Sequence, residues 1–235
     1  MTPASSRTLV ERYALPPAEI EALSLERVSA ALAAVGSWPD PEAEIVRRVV
    51  YAAGDPTLAP LIRFHPEAVA AGVMALRAGR AIVVDVRMVE VALDYQRIAR
   101  LGCPVHCQID AREVREEAAR LSLPRAVVAV RALVDAVTDG VVVIGNAPTA
   151  LLSLLDLVDA GRARPALVVG MPVGFVAAAE SKAELARRAV PFITIEGTRG
   201  GSAVAAAACN ALLRLAVDGW QPQDARGEGG RSHDR

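Results

Sequence analysis

The residues best placed for chemistry lie in three glycine-bearing turns: Gly145-Asn146-Ala147-Pro148, Gly170-Met171-Pro172-Val173-Gly174 and Gly197-Thr198-Arg199-Gly200-Gly201-Ser202. Glycine lets backbone come close to a ligand. Each turn opens a helical segment, whose first N–H groups are unpaired and sit at the positive end of the helix dipole. Asn146, Thr149, Arg199 and Ser202 add side-chain donors. This is the chemistry of an anion site. One such turn is more often plain strand-to-helix punctuation, whereas three in series, one reading Arg-Gly-Gly-Ser, favour a ligand. Asp85-Val86-Arg87-Met88, without glycine, is a fourth turn at a strand's carboxyl end.

Other reactive residues carry less. Cys103-Pro-Val-His106-Cys107 has loose spacing for a metal and no second cysteine–histidine pair, so it reads as a strand with a buried thiol and no metal site is expected. His65 precedes Pro66 and serves as a helix cap, His106 lies on a strand facing either core or solvent, and His233 falls in the tail. With no histidine in a carboxyl-end turn, hydrolase or dehydratase chemistry at neutral pH is disfavoured. The spacings G-x-G-x-x-G and G-x-S-x-G and a Walker lysine are absent, which weakens nucleotide-binding and serine-hydrolase readings.

The elements that must hold these turns follow from short β-branched runs. Val141–Ile144, Ala166–Val169 and Phe192–Ile195 are too short for helices and read as buried strands, as do Ala81–Val86 and Val105–Ile109. Strand–turn–helix three times over implies parallel strands with right-handed crossovers, placing all the special turns at one sheet edge, where open α/β sheets bind ligands. Upstream, a helix with Ile20, Leu23, Val28, Leu32 and Val35 as its stripe ends near Gly36, and Asp40-Pro41-Glu42 reads as an N-cap starting the next. Further helices are expected over Glu67–Ala78, Ala111–Leu121 and Arg125–Val137. The expected fold is therefore a single α/β domain, a mainly parallel sheet of five strands flanked by roughly seven to nine helices, with a helical N-terminal region. It spans 15–220, between a flexible arm (1–14) and a disordered tail (221–235).

Composition sets limits. The 26 basic and 27 acidic residues of the 235 balance to a net charge of −1, which argues against a nucleic-acid surface. Hydrophobic residues are 53% but aromatics only 3%, so the core must be aliphatic and alanine-rich. The N-terminus has no apolar signal-peptide core, and Asn210 and Arg214 interrupt the most apolar helix, so no membrane span is expected. Three cysteines suggest no disulfide framework and point to the cytoplasm.

The stretches IGNAPTALL, VVGMPVGFVAAAESK and EGTRGGSAVAAAACNAL resemble the precorrin-8X methylmutase (precorrin isomerase) family of cobalamin biosynthesis, and a weaker resemblance reaches back to about Leu15. It implies an α/β homodimer that moves a methyl group between neighbouring carbons of a corrinoid ring. Precorrin-8X, or cobalt-precorrin-8, becomes hydrogenobyrinate or cobyrinate, with no redox cofactor or metal required. The substrate carries many carboxylates, which agrees with an anion-binding edge. By resemblance, Arg199 and Arg125 pair with those carboxylates. Ser24, Asp85, Gly145, Asn146, Thr149, Gly170, Pro172, Gly174, Gly200, Gly201 and Ser202 complete the substrate-binding set.

Arg125 stands in Pro124-Arg125-Ala126 where the family has Thr-Arg-Ser, and the main departure from the family is at Tyr51. The family's catalytic histidine follows arginine and two apolar residues and precedes a small pair and glycine, a frame matched here by Arg48-Val49-Val50-Tyr51-Ala52-Ala53-Gly54. By resemblance, Tyr51 is then the proton or hydrogen-bond donor to the macrocycle. A phenol is normally the weaker acid by ~3.5 pH units, about 4.8 kcal/mol, of which only a fraction reaches a barrier. The alternative is a non-catalytic corrinoid-binding protein or carrier with Tyr51 as a core residue.

Overall fold

A computed structural model describes residues 8–221. The order is α1 (Leu9–Tyr13), α2 (Pro17–Ala33), α3 (Glu42–Ala53), a 3-10 turn (Pro56–Leu61), β1 (Ile62–Phe64), α4 (Ala68–Arg77), β2 (Ile82–Val84), α5 (Arg87–Val91), α6 (Tyr95–Leu101) and β3 (Val105–His106). There follow α7 (Arg112–Leu121), α8 (Arg125–Arg131), α9 (Val134–Val137), β4 (Val141–Ile144), α10 (Pro148–Asp159), β5 (Leu167–Gly170), α11 (Ala178–Ala186), β6 (Phe192–Ile195) and α12 (Ser202–Val217).

The six strands lie in the order β1-β6-β5-β4-β2-β3, parallel except for β1, which pairs antiparallel with β6 at one edge. β4 shows why the central strands are continuous apolar runs. Val141 and Val143 join one hydrophobic cluster, with α3, α4 and α12, while Val142 and Ile144 join another, with α8, α10 and α11. Both faces are covered, so neither alternate position can be polar.

Several boundaries differ from the sequence reading. β1 is a sixth strand, three residues between prolines and too short to show a pattern. Ala81–Val86 contracts to Ile82–Val84, Val105–Ile109 to Val105–His106, and Ala166–Val169 shifts by one residue. Asp40 is not the cap of α3: Pro41 takes that place with no side-chain bond, and the helix begins at Glu42. Arg125–Val137 is two helices, not one. Within the expected arm, Leu9–Tyr13 forms a helix with a Thr8–Glu11 capping box. Residues 1–7 of that arm, and the tail beyond 221, lie outside the described residues. No helix among the described residues is long and apolar enough to cross a membrane.

Candidate functional site

Parallel pairing brings the ends of β2, β4, β5 and β6 to one edge, and hydrogen bonds join their turns. Strand order reverses between β2 and β4, the crevice that α/β sheets offer to ligands. Asp85 spans it. Only 2% exposed, its carboxylate accepts the N–H of Gly145 (3.0 Å), Asn146 (2.9 Å) and Ala147 (2.7 Å). Burial pushes its pKa up, and the three N–H bonds pull back down, Gly145 first. Asp85 thus turns inward to hold the β4 turn.

The β5 and β6 turns hold each other. Gly201 N–H donates to Met171 O at 2.9 Å, and Gly174 N–H to Thr198 O at 3.1 Å. The contact requires glycine: at Gly200 (φ +151°) a Cβ would lie 2.4 Å from Met171 O. Lys182, on α11 and 1% exposed, donates from Nζ to Arg199 O at 2.5 Å, and burial lowers its pKa to about 8. The β4 turn packs on the start of α12, since a Cβ on Gly145 would come within 2.8 Å of Ser202 Cα. Gly145, Gly170 and Pro172 are buried beneath this edge. Asn146 is exposed, and Thr149, Gly174, Gly200, Gly201 and Ser202 are half-buried on it.

Arg199 does not stand free. It pairs with Asp55 and donates from Nη1 to Thr57 Oγ1 at 2.8 Å, tying the β6 turn to the loop after α3. Tyr51, in the last turn of α3, is 42% exposed and opens on a cleft of about 350 Å³ beside α12. Ala203, Ala206, Ala207 and Ala211 give the cleft an apolar floor, and Arg48, Asp94, Arg97, Asn210 and Arg214 a polar rim. Asn210 ties the rim to α12, accepting Asp94 N–H at 2.8 Å and donating to Ala92 O at 2.9 Å. Of the expected site residues only Tyr51 lines this cleft; the thirteen expected substrate-binding residues do not. Ser24 is half-buried on α2. Arg125 is exposed as the first residue of α8, a helix packed with α10 on the other face of the sheet.

Sequence reasoning passed over Lys182 and the arginine rim. Both left a signal. Lys182 occupies the apolar register of α11, four residues from Ala178 and three from Leu185. Asn210 and Arg214 are four apart on an alanine-rich helix and so share a face. His65, the expected cap, accepts Glu67 N–H on Nδ1 at 3.2 Å. Cys103 and Cys107 are buried thiols.

Comparison with known proteins matches this arrangement throughout its length. The family model described as precorrin-8X methylmutase matches residues 19–215. A cobalt-precorrin-8 methylmutase of Priestia megaterium is 44% identical over 91% of this chain and 94% of its own. A precorrin-8X methylmutase of Pseudomonas aeruginosa is 47% identical over 70% and 80%. The crystal structure of precorrin-8X methylmutase from Thermus thermophilus superposes with a TM-score of 0.80 at 38% identity, covering 88% of this chain and 99% of that one. With sequence and fold in agreement over nearly the whole domain, the chain belongs to the precorrin-8X methylmutase family.

Proposed function

We propose that the protein is an isomerase of cobalamin biosynthesis that moves a methyl group between adjacent ring carbons of precorrin-8X or its cobalt form. The observation that carries this reading is the family match across residues 19–215. The shift breaks one carbon–carbon bond and makes another in the same molecule, so its electrons balance without an external oxidant or reductant. The protein's work is to hold the ring, fix its orientation and place a donor against it.

Tyr51 is the donor in this reading. It stands exposed at the cleft mouth, where a phenol O–H reaches a ligand without further movement of α3. The glycine turns and Arg199 hold substrate carboxylates. For Arg199, this means exchanging Asp55 and Thr57 for the ligand. Ser24 and Arg125 join the site when a second copy closes over it. A closed twofold dimer is supported by apolar side chains left in solvent near the carboxyl edge, Phe175 at 95% and Val176 at 84% exposure. Light scattering giving a monomer at every concentration removes the dimer. The reading places the protein in the cytoplasm with its soluble substrate.

The test is single-turnover conversion of precorrin-8X, followed by absorbance, for wild type, Tyr51→Phe and Tyr51→His. Wild type converts, Tyr51→Phe slows by roughly 10- to 100-fold, and Tyr51→His keeps or raises the rate. Equal rates for wild type and Tyr51→Phe remove Tyr51 from catalysis. No product from wild type overturns the isomerase reading.

A further inference from the structure

The mouth of the Tyr51 cleft is already occupied by a carboxylate. Glu21 Oε1 accepts from Arg48 Nη1 at 2.8 Å and lies 3.7 Å from Arg214 Nη2. Glu21 comes from α2, which is exposed from Pro17 to Ala22, half-buried at Leu23, Ser24 and Leu25, and fully buried only at Leu32 near its far end.

Both arginines that Glu21 approaches belong to the lining of the cleft. Three guanidiniums line it, those of Arg48, Arg97 and Arg214; Arg48 is also held by Glu44 (Nε to Oε1, 3.0 Å) and Arg97 is paired with Asp94. Burial first, then the like charges of Arg48 and Arg97, lower the Arg214 pKa. Among the described residues, Glu21 is the only carboxylate within ion-pair distance of Arg214, and that contact is too long for a hydrogen bond. Arg48 and Arg97 have close carboxylate partners, so Arg214 is the guanidinium of the three with the least compensation.

We propose that Arg48 and Arg214 form a clamp for one carboxylate of the corrinoid, and that Glu21 is its internal occupant, displaced when the substrate enters. The proposal rests on the corrinoid reading above. The exchange replaces one carboxylate with another, so charge balance is kept. An exposed pair such as Glu21–Arg48 holds its place only weakly, whereas a ligand carboxylate can take both guanidiniums at once.

The experiment titrates hydrogenobyrinate by absorbance into wild type, Glu21→Gln and Arg214→Gln, with melting curves alongside. A corrinoid whose side chains are amides is the second probe. Removing the competitor tightens binding: Glu21→Gln lowers the dissociation constant about 2- to 5-fold. Removing the clamp weakens it: Arg214→Gln raises the constant about 10-fold or more. Both effects vanish with the amide probe. A Glu21→Gln variant that binds hydrogenobyrinate no more tightly than wild type overturns the clamp, as does equal response to the amide probe. Glu21 is exposed, so this arm stands even if Arg214→Gln fails to fold. Wild type that binds neither probe removes the corrinoid reading itself, a result separate from failure of the clamp alone.

Discussion

Lys182 is the only lysine in the chain, with arginine at every other long cationic position, and it is buried. Its ammonium has one hydrogen-bond partner, Arg199 O, and no carboxylate within ion-pair distance among the described residues. Burial therefore lowers its pKa from 10.5 to about 8. The consequence for stability has a definite sign. Below pH 8 both folded and unfolded chains are protonated there, and the folded chain carries the whole cost of the buried charge. Between about 8 and 10.5 the unfolded chain binds more protons, so this group's contribution to stability rises with pH. Above that range both are neutral and the cost is gone. The full change is about 3 kcal/mol at ~1.4 kcal/mol per pH unit. Lys182→Met fills the same space without the charge but leaves Arg199 O unpaired, a loss of about 1–3 kcal/mol. The two variants thus differ little at pH 7, while wild type gains about 3 kcal/mol on Lys182→Met between pH 8 and 10.5. Urea unfolding at stepped pH measures that difference. Labelling lysine at Cε with carbon-13 gives a single lysine resonance, whose titration midpoint reads the pKa directly. A midpoint at or above 10, or a stability difference flat with pH, refutes the argument.

Two other substitutions probe the carboxyl edge. Asp85→Asn keeps one acceptor oxygen for the β4 turn but sets an NH2 against the remaining N–H, leaving a buried donor unsatisfied. It should lower stability by about 1–3 kcal/mol, read by urea unfolding; an unchanged midpoint would mean that the turn does not depend on the carboxylate. Gly200→Ala puts a Cβ 2.4 Å from Met171 O at a backbone angle that L residues avoid. It should cost about 2–4 kcal/mol and weaken corrinoid binding, whereas a normal melting temperature would show that the β5 and β6 turns separate easily.

The sequence revealed most where one cause fixes the pattern. β4 is buried on both faces, so four β-branched residues in a row can be nothing but an interior strand. The glycine turns were legible because positive φ and close backbone approach, as at Gly200, leave few other choices. What stayed hidden depends on partners far along the chain. β1 exists because β6 offers it an edge, and no property of Ile62-Arg63-Phe64 announces that. Asp40-Pro41-Glu42 has the composition of a capped start, yet Pro41 takes the cap position, with no side-chain bond, and α3 begins at Glu42. Asp85 carries the same lesson for function. Its place at a strand end suggested a ligand contact, but sixty residues on lie the three N–H groups that turn its carboxylate inward.

The Tyr51 cleft shows why composition and site chemistry are one problem here. Alanines at 203, 206, 207 and 211 recur at helical spacing on the side of α12 that faces α3. Small residues let the two helices approach but leave a shallow apolar strip uncovered. Larger side chains there would add buried area and close the cleft. The strip is bounded by Arg48 and Arg97, each with a close carboxylate partner, and by Arg214, whose nearest carboxylate among the described residues is Glu21 at 3.7 Å. An apolar floor beside guanidiniums suits a ligand with a broad apolar body and acidic side arms. A corrinoid polycarboxylate has that form. Ring side chains on this face of α12 would fill the cleft that its alanines leave open.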